Sequence, residues 1–370
     1  MCLGYLWGVK DMKDYLGKKT FARVRHCSRQ LLTAVCLVPL FAALLSGCTT
    51  KSAARPSDKI KVGVTIYDQY DTFLSQYMDC FTKELEADED VDVVVYNASQ
   101  SQQTQNAQVK KMIEDGCDVI CVNLVDRTDP STVIDAAKKA DVPIIFFNRE
   151  LVEGDIGRWN KLFYVGADAA QSGILEGELA ASTCLSDKSI DRNGDGKIQY
   201  IVLEGEAGHQ DAIVRTEYSV DTLVQKGVEV DKLGYAIANW NRAQAQTKVT
   251  SFIENYGDGI ELIMSNNDDM ALGAIDAYEA AGMLKSDWPA IFGIDGTTVG
   301  LEAVRDDKMT GTVYNDKEGQ AEAMYRLAVT LGHGGSIEEL ADEFEITDGK
   351  YIRLSYEKIT ATNINKYLSR

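Results

Sequence analysis

Two motifs that would mark a nucleotide binder are missing from this sequence. It has no G-x-x-x-x-G-K-[ST] loop and no strand followed by G-x-G-x-x-G, so no backbone cradle for phosphate is written into it. Histidine is scarce: His26, His209 and His333 are far apart in 370 residues, which argues against a His-rich transition-metal centre. Positive charge is short too, with 38 Lys and Arg against 57 Asp and Glu. Such a balance opposes a nucleic acid or an anionic lipid face as partner and suits neutral small molecules and divalent cations. The apolar run "LLTAVCLVPLFAALL" has only fifteen residues, short of the roughly 20 that cross a bilayer as a helix. Cysteines downstream of residue 48 are few. Cys117 and Cys121 fall in one predicted strand, about 13 Å apart at strand rise, too far to pair with each other, and with Cys80 and Cys184 they read as free thiols, mostly buried.

What is present at the start is an export signal. The basic stretch "KKTFARVRHCSRQ" precedes the apolar run, and "LSGC" places small residues directly before Cys48. The ending resembles the lipobox of bacterial lipoproteins, which implies acylation of Cys48 and a lipid-anchored chain on the extracytoplasmic face of the cell membrane. Residues 1–47 are therefore read as signal, and 48–58, small and polar, as a tether. Without the signal, 31 basic and 55 acidic side chains remain, a net charge of −24.

From Lys59 onward, short β-branched runs alternate with amphipathic stretches. "IKVGVTIY", "VDVVVY", "DVICVNLV" and "PIIFFN" read as strands, separated by helices over 71–87, 103–116 and 130–140. A second series begins near "FYVGAD" and continues through "YIVLEG", "LGYAIA", "IELIMSN", "AIFGID" and "GTVYN", again with helices between. The count predicts an α/β protein of two doubly wound parallel-sheet domains joined by a hinge. In such sheets ligands bind beyond the carboxyl ends of the strands. Here those ends read "TIYDQYD", "FFNRE", "LEGEAGHQD", "MSNND", "FGIDG" and "VYNDK". Any one polar strand end is an ordinary helix N-cap; six together predict a polar cleft between the domains.

One loop stands apart. In "DRNGDGKIQYIVLEGE" the side chains of Asp191, Asn193 and Asp195, the carbonyl of Lys197 and the side chain of Gln199 fall at positions one, three, five, seven and nine of a calcium loop, with Gly196 at the turn. All are oxygen donors, which favours Ca²⁺ over Zn²⁺. Position twelve, where a bidentate Glu is needed, is Val202. The closing carboxylate must come from elsewhere, with Glu204 and Glu206 as local candidates.

These stretches, with "VNLVDRTDP", "YVGAD", "GEAGHQDA" and "NNDDMALGA", resemble the galactose/glucose-binding family of periplasmic binding proteins, type I, over nearly the whole chain after Lys59. The resemblance implies that Phe73 and Trp240 sandwich a pyranose. It further implies polar contacts from Asp71, Asn148, His209, Asp211, Arg215, Asn267 and Asp295, with Asn315 at the crossing between domains. Glu261 matches the family's remote sixth calcium ligand, beside the five loop positions. The surroundings depart from the family at Asp68, Gln69 and Gln210.

The domains implied are 59–167 with about 315–349, which is the N-terminal sugar-binding domain, and 168–314 with about 350–370, which binds sugar and calcium. The function implied is capture of D-galactose or D-glucose and delivery to the permease of an ABC importer, by a monomer. Another monosaccharide, or sensing for a chemoreceptor, is the alternative within the fold. A glycosidase would need two carboxylates flanking a bond, one with a raised pKa; Asp71, Asp211 and Asp295 lie instead among amides and Arg that favour ionised acceptors. A repressor of the same fold would need an N-terminal helix-turn-helix where the signal stands.

Overall fold

A computed structural model describes residues 59–368. The signal, Cys48 and the tether lie outside the described residues.

The first lobe is built from β1 (Ile60–Ile66), α1 (Thr72–Ala87), β2 (Val91–Asn97), α2 (Gln102–Glu114), β3 (Val119–Val122), α3 (Ser131–Ala140), β4 (Ile144–Phe147) and β5 (Leu162–Ala167). The second comprises α4 (Ala169–Ser186), β6 (Ile198–Glu204), α5 (Gln210–Gln225), β7 (Val230–Ile237), α6 (Arg242–Tyr256), β8 (Leu262–Ser265), α7 (Asp268–Ala280), β9 (Ala290–Asp295), α8 (Thr298–Arg305) and β10 (Gly311–Tyr314). The chain then returns through α9 (Lys317–Gly332), β11 (Ile346–Thr347) and β12 (Tyr351–Leu354), and ends beyond β13 (Glu357–Thr360). The sheet orders are β11-β12-β5-β4-β3-β1-β2 and β13-β10-β9-β8-β6-β7. Each contains the same doubly wound order, with a switch point where the first strand of the lobe meets the third. Among the described residues only the β11–β12 and β10–β13 pairs are antiparallel.

The central strands are apolar on both faces because helices cover both. In β1, Val62 and Val64 are fully buried against α1 and α9, while Ile120 and Val122 of β3 face α2 and α3. Gly63 marks the closest approach of α2: a Cβ there would stand 2.4 Å from Met112 Sδ. Cys117, Cys121 and Cys184 are buried, and Cys80 is half-buried.

One expected boundary moves. The C-terminal piece assigned to the second domain from about 350 begins later, because β12 pairs in parallel with β5 of the first sheet from Tyr351 to Leu354. The exposed edge of β5 is covered by the β11–β12 hairpin, and Ile352 joins the first lobe's core. The chain crosses to the second lobe only between Leu354 and Glu357, where β13 completes the other sheet. Three crossings therefore link the lobes, after β5, β10 and β12.

Candidate functional site

The carboxyl ends of strands from both sheets meet at one cavity. Its walls are Tyr67, Asp71, Phe73, Asn148 and Arg149 from the first lobe and His209, Asp211, Arg215, Trp240, Asn267 and Asp295 from the second. Nine of the ten residues named from the sequence are among them. Asn315 is the exception. It is buried, its backbone N–H donating to the Asp295 carbonyl (3.0 Å) and its Oδ1 accepting from Gln320 Nε2 (2.6 Å), so it supports Asp295 from behind. Tyr67 and Arg149 were not anticipated, although both sit in the quoted strand ends "TIYDQYD" and "FFNRE".

Several wall residues are also helix caps, so the ordinary reading of a polar strand end holds alongside the functional one. Asp71 caps α1 by accepting from Leu74 N–H (2.8 Å), and its other oxygen accepts from Tyr67 O–H (2.6 Å). Asn267 caps α7 through Met270 N–H (3.0 Å). His209 caps α5 through Nδ1, which accepts from Asp211 N–H (3.1 Å). An accepting Nδ1 leaves the neutral ring with its proton on Nε2. Burial, reinforced by Arg149, Arg215 and Arg127, holds the His209 pKa well below the usual imidazole range.

Arg215 centres the charge of the second lobe. It stands 3.7 Å from both Asp211 and Asp295 and donates to the Asn266 carbonyl (2.8 Å) and Tyr356 O–H (3.1 Å). Burial opposes its charge, but Tyr356, Asp295 and Asp211 more than offset this and hold its pKa up. Burial raises the pKa of Asp211 and of Asp295, and Arg215 pulls both back. Arg215 Nε is a buried donor with no partner, a group that costs about 1–3 kcal/mol unless an acceptor reaches it. Asp295 has φ +118°, and Asn239 and Trp240 have φ +53° and +60°. Such backbone values in non-glycine residues concentrate at ligand sites. Trp240 lies over Gly205, where a Cβ would stand 2.2 Å from the indole, and meets His209 edge to face with centroids 5.3 Å apart.

The lobes touch around this cavity. Thr72 donates to Asp269 (2.6 Å), Thr298 to Gln76 (3.3 Å), Arg127 to Gln210, and Arg149 to Glu206 (2.7 Å).

The calcium-like loop lies in the second lobe, between α4 and β6. Its backbone winds around its own carboxylates: Gly194 and Gly196 N–H donate to Asp191, and Lys197 N–H to Asp195. Of the three candidates for the closing carboxylate, Glu204 accepts from Tyr235 O–H and Glu206 pairs with Arg149. Glu261 alone reaches the loop, taking Arg192 N–H at 2.6 Å and Gln199 N–H at 3.0 Å on its two oxygens. Asn193 Nδ2 bridges Asp195 and Gln199 at 3.1 Å each. The loop side chains of Asn193, Asp195 and Gln199 therefore lie together, with Glu261 bonded to the loop backbone, and their oxygens are of the kind a hard cation requires. They mix carboxylates with amides and a carbonyl; among the described residues no group of three or more His, Cys, Asp or Glu is set to hold a metal by itself.

Comparison with known proteins decides the family. The periplasmic binding protein domain matches residues 62–336. The chain belongs to the periplasmic binding protein family. This periplasmic binding protein is 33% identical to the D-galactose/methyl-galactoside binding periplasmic protein MglB of Haemophilus influenzae, over 91% of this chain and 99% of that one. It is 29% identical to a putative rhizopine-binding protein of Rhizobium meliloti, over 85% and 94%. Among solved structures it is similar to an ABC transporter solute binding protein from Bacillus halodurans with bound myo-inositol, at 27% identity and a TM-score of 0.71, covering 85% of this chain and 98% of that one. These relatives are solute-binding proteins and not enzymes, and the fold expected of two parallel-sheet domains is the one they share.

Proposed function

We propose that this periplasmic binding protein captures a neutral hexose, D-galactose or D-glucose, between its lobes and delivers it to the permease of an ABC importer. The observation that carries the reading is the convergence of Phe73 and Trp240 with Asp71, Asn148, His209, Asp211, Arg215, Asn267 and Asp295 on one cavity. Each sugar hydroxyl donates and accepts, so carboxylates, amides, a neutral imidazole and a forked guanidinium together satisfy a ring of them. The aromatic pair supplies apolar faces for the C–H groups of the ring. Contacts from both lobes mean that neither half completes the site alone, which couples binding to closure. The 33% identity to a D-galactose/methyl-galactoside binding protein supports the hexose.

The bound myo-inositol of the Bacillus halodurans relative favours a second reading, a cyclitol or another monosaccharide in the same cleft. A melting panel separates them: galactose and glucose should raise the melting temperature more than ribose or myo-inositol, and the reverse order would replace the first reading by the second.

In this reading Cys48 carries a lipid that holds the protein at the membrane, outside the cytoplasm, and the 191–199 loop with Glu261 holds a structural Ca²⁺. Calcium there would tie the loop to the start of β8 and leave the cleft to the sugar. Cys48→Ala should release the protein from membranes; retention would remove the anchor.

A further inference from the structure

Among the described residues one ion pair joins the two lobes. Arg149 follows β4 in the first lobe, and its Nη2 donates to Glu206 of the second lobe at 2.7 Å. The Arg149 side chain is 5% exposed and that of Glu206 44%, so the pair has a dry end and a wet end. Nη1 of Arg149 donates to the Val125 carbonyl (2.9 Å). Its guanidinium carbon lies 3.7 Å from the centroid of the Tyr67 ring, within cation–π range. Tyr67 O–H in turn donates to Asp71 at 2.6 Å. A continuous path therefore runs from Glu206 in one lobe, through Arg149 and Tyr67, to a carboxylate on the cavity wall in the other. Arg149, Tyr67 and Asp71 line both the inner cavity and the wider mouth of about 400 Å³ where Glu206 stands.

Resting on the reading of this cleft as a sugar site, we propose that Arg149 is a positioning residue: its pairing with Glu206 on closure holds the guanidinium plane against Tyr67, and Tyr67 sets Asp71 for the sugar. Closure is thereby transmitted to a binding side chain, and release of Glu206 on opening loosens it. The consequence is unusual for an uncharged ligand. Affinity acquires a component that salt weakens, because the wet end of the pair is screened. Repulsion between two acidic lobes works in the opposite sense, so the component is read as the ratio of wild type to Glu206→Gln and not as a slope of wild type alone.

The test is sugar affinity between roughly 0.01 M and 1 M salt, over which the screening length falls from about 30 Å to about 3 Å. Glu206→Gln, at an exposed position, should bind about three- to tenfold more weakly at low salt, a range set by charge-assisted pairs at a half-exposed site, and converge on wild type at high salt. Arg149→Lys, which keeps the cation and loses the flat face, should stay weaker at every salt. Equal affinities throughout, or a Glu206→Gln deficit that salt leaves unchanged, would overturn the proposal. Small-angle scattering on the sugar-free proteins gives a second readout. Wild type should be more compact than Glu206→Gln at low salt and equal to it at high salt; identical radii throughout would count against the pair. If wild type binds no sugar the functional reading fails by itself, and scattering still decides the pair.

Discussion

Arg215 and Asp295 stand 3.7 Å apart with both side chains nearly buried, on α5 and at the end of β9. Asp211 approaches the other terminal nitrogen of the same guanidinium, also at 3.7 Å. Two carboxylates around one arginine leave acceptors that a sugar hydroxyl can share, at fixed orientation. Asp295→Asn keeps the shape and removes one of the two charges. Sugar affinity should fall by about 2 kcal/mol, roughly 30-fold, as expected for loss of a charged hydrogen-bond partner. Titration calorimetry on a variant with an unchanged melting temperature checks this; undiminished affinity would take Asp295 off the sugar.

Trp240 presents its ring beside His209 and over Gly205. Trp240→Ala removes one stacking face and should weaken binding by at least about 1 kcal/mol. An intact fold with wild-type affinity would mean that the indole serves the core alone.

Glu176 is a buried carboxyl behind the site, with Oε1 accepting from Ser265 N–H (2.9 Å) and Oε2 without a partner. Burial pushes its pKa up to about 8, and that of Asp268 up to about 7. For both groups the folded pKa lies above the unfolded one, so the folded state binds more protons between about pH 4 and 8. The stability they contribute is present below the unfolded carboxyl range and is lost as pH rises through 7 and 8. Glu176→Gln should therefore gain stability over wild type as pH rises from about 4.5 to 8, on the order of a few kcal/mol. His209, buried neutral, acts in the opposite direction and destabilises below about pH 6.5 in both proteins. Denaturant melts across this range read the difference; a constant gap between variant and wild type would show that Glu176 does not titrate there.

The calcium reading predicts a melting temperature that drops with chelator. At a calcium level of 100 times its dissociation constant the stabilisation is about 2.7 kcal/mol. Glu261→Gln should lose most of it, since Glu261 is the carboxylate that reaches the loop. A calcium shift that survives the substitution whole would assign the closing ligand elsewhere, and no shift in wild type would remove the ion.

Much of this architecture was legible in the residues themselves. Strands such as "VICV" and "IIFF" are continuous apolar runs because helices cover both faces, and the polar residues beyond the strands mark where the sheets open. The short hairpin of β11 and β12 was not legible. "YIRL" gains its place from backbone pairing with β5 and from one buried side chain, Ile352, a tertiary effect that no local periodicity announces. Asn315 carried the right residue type at the right strand end, yet a strand end does not say whether a side chain forms the wall or the layer behind it. Arg149 was hidden for a different reason. An arginine beside Asn148 reads as an ordinary surface cation, and its ion-pair partner Glu206 lies 57 residues away on the other lobe.

The central claim is that the cleft holds a neutral hexose, and titration calorimetry with D-galactose and D-glucose tests it most directly. The account predicts saturable binding of at least one of the two, one sugar per chain, with the sugar recovered unchanged. Failure of both to bind, while ribose, xylose, arabinose or myo-inositol does, would contradict it.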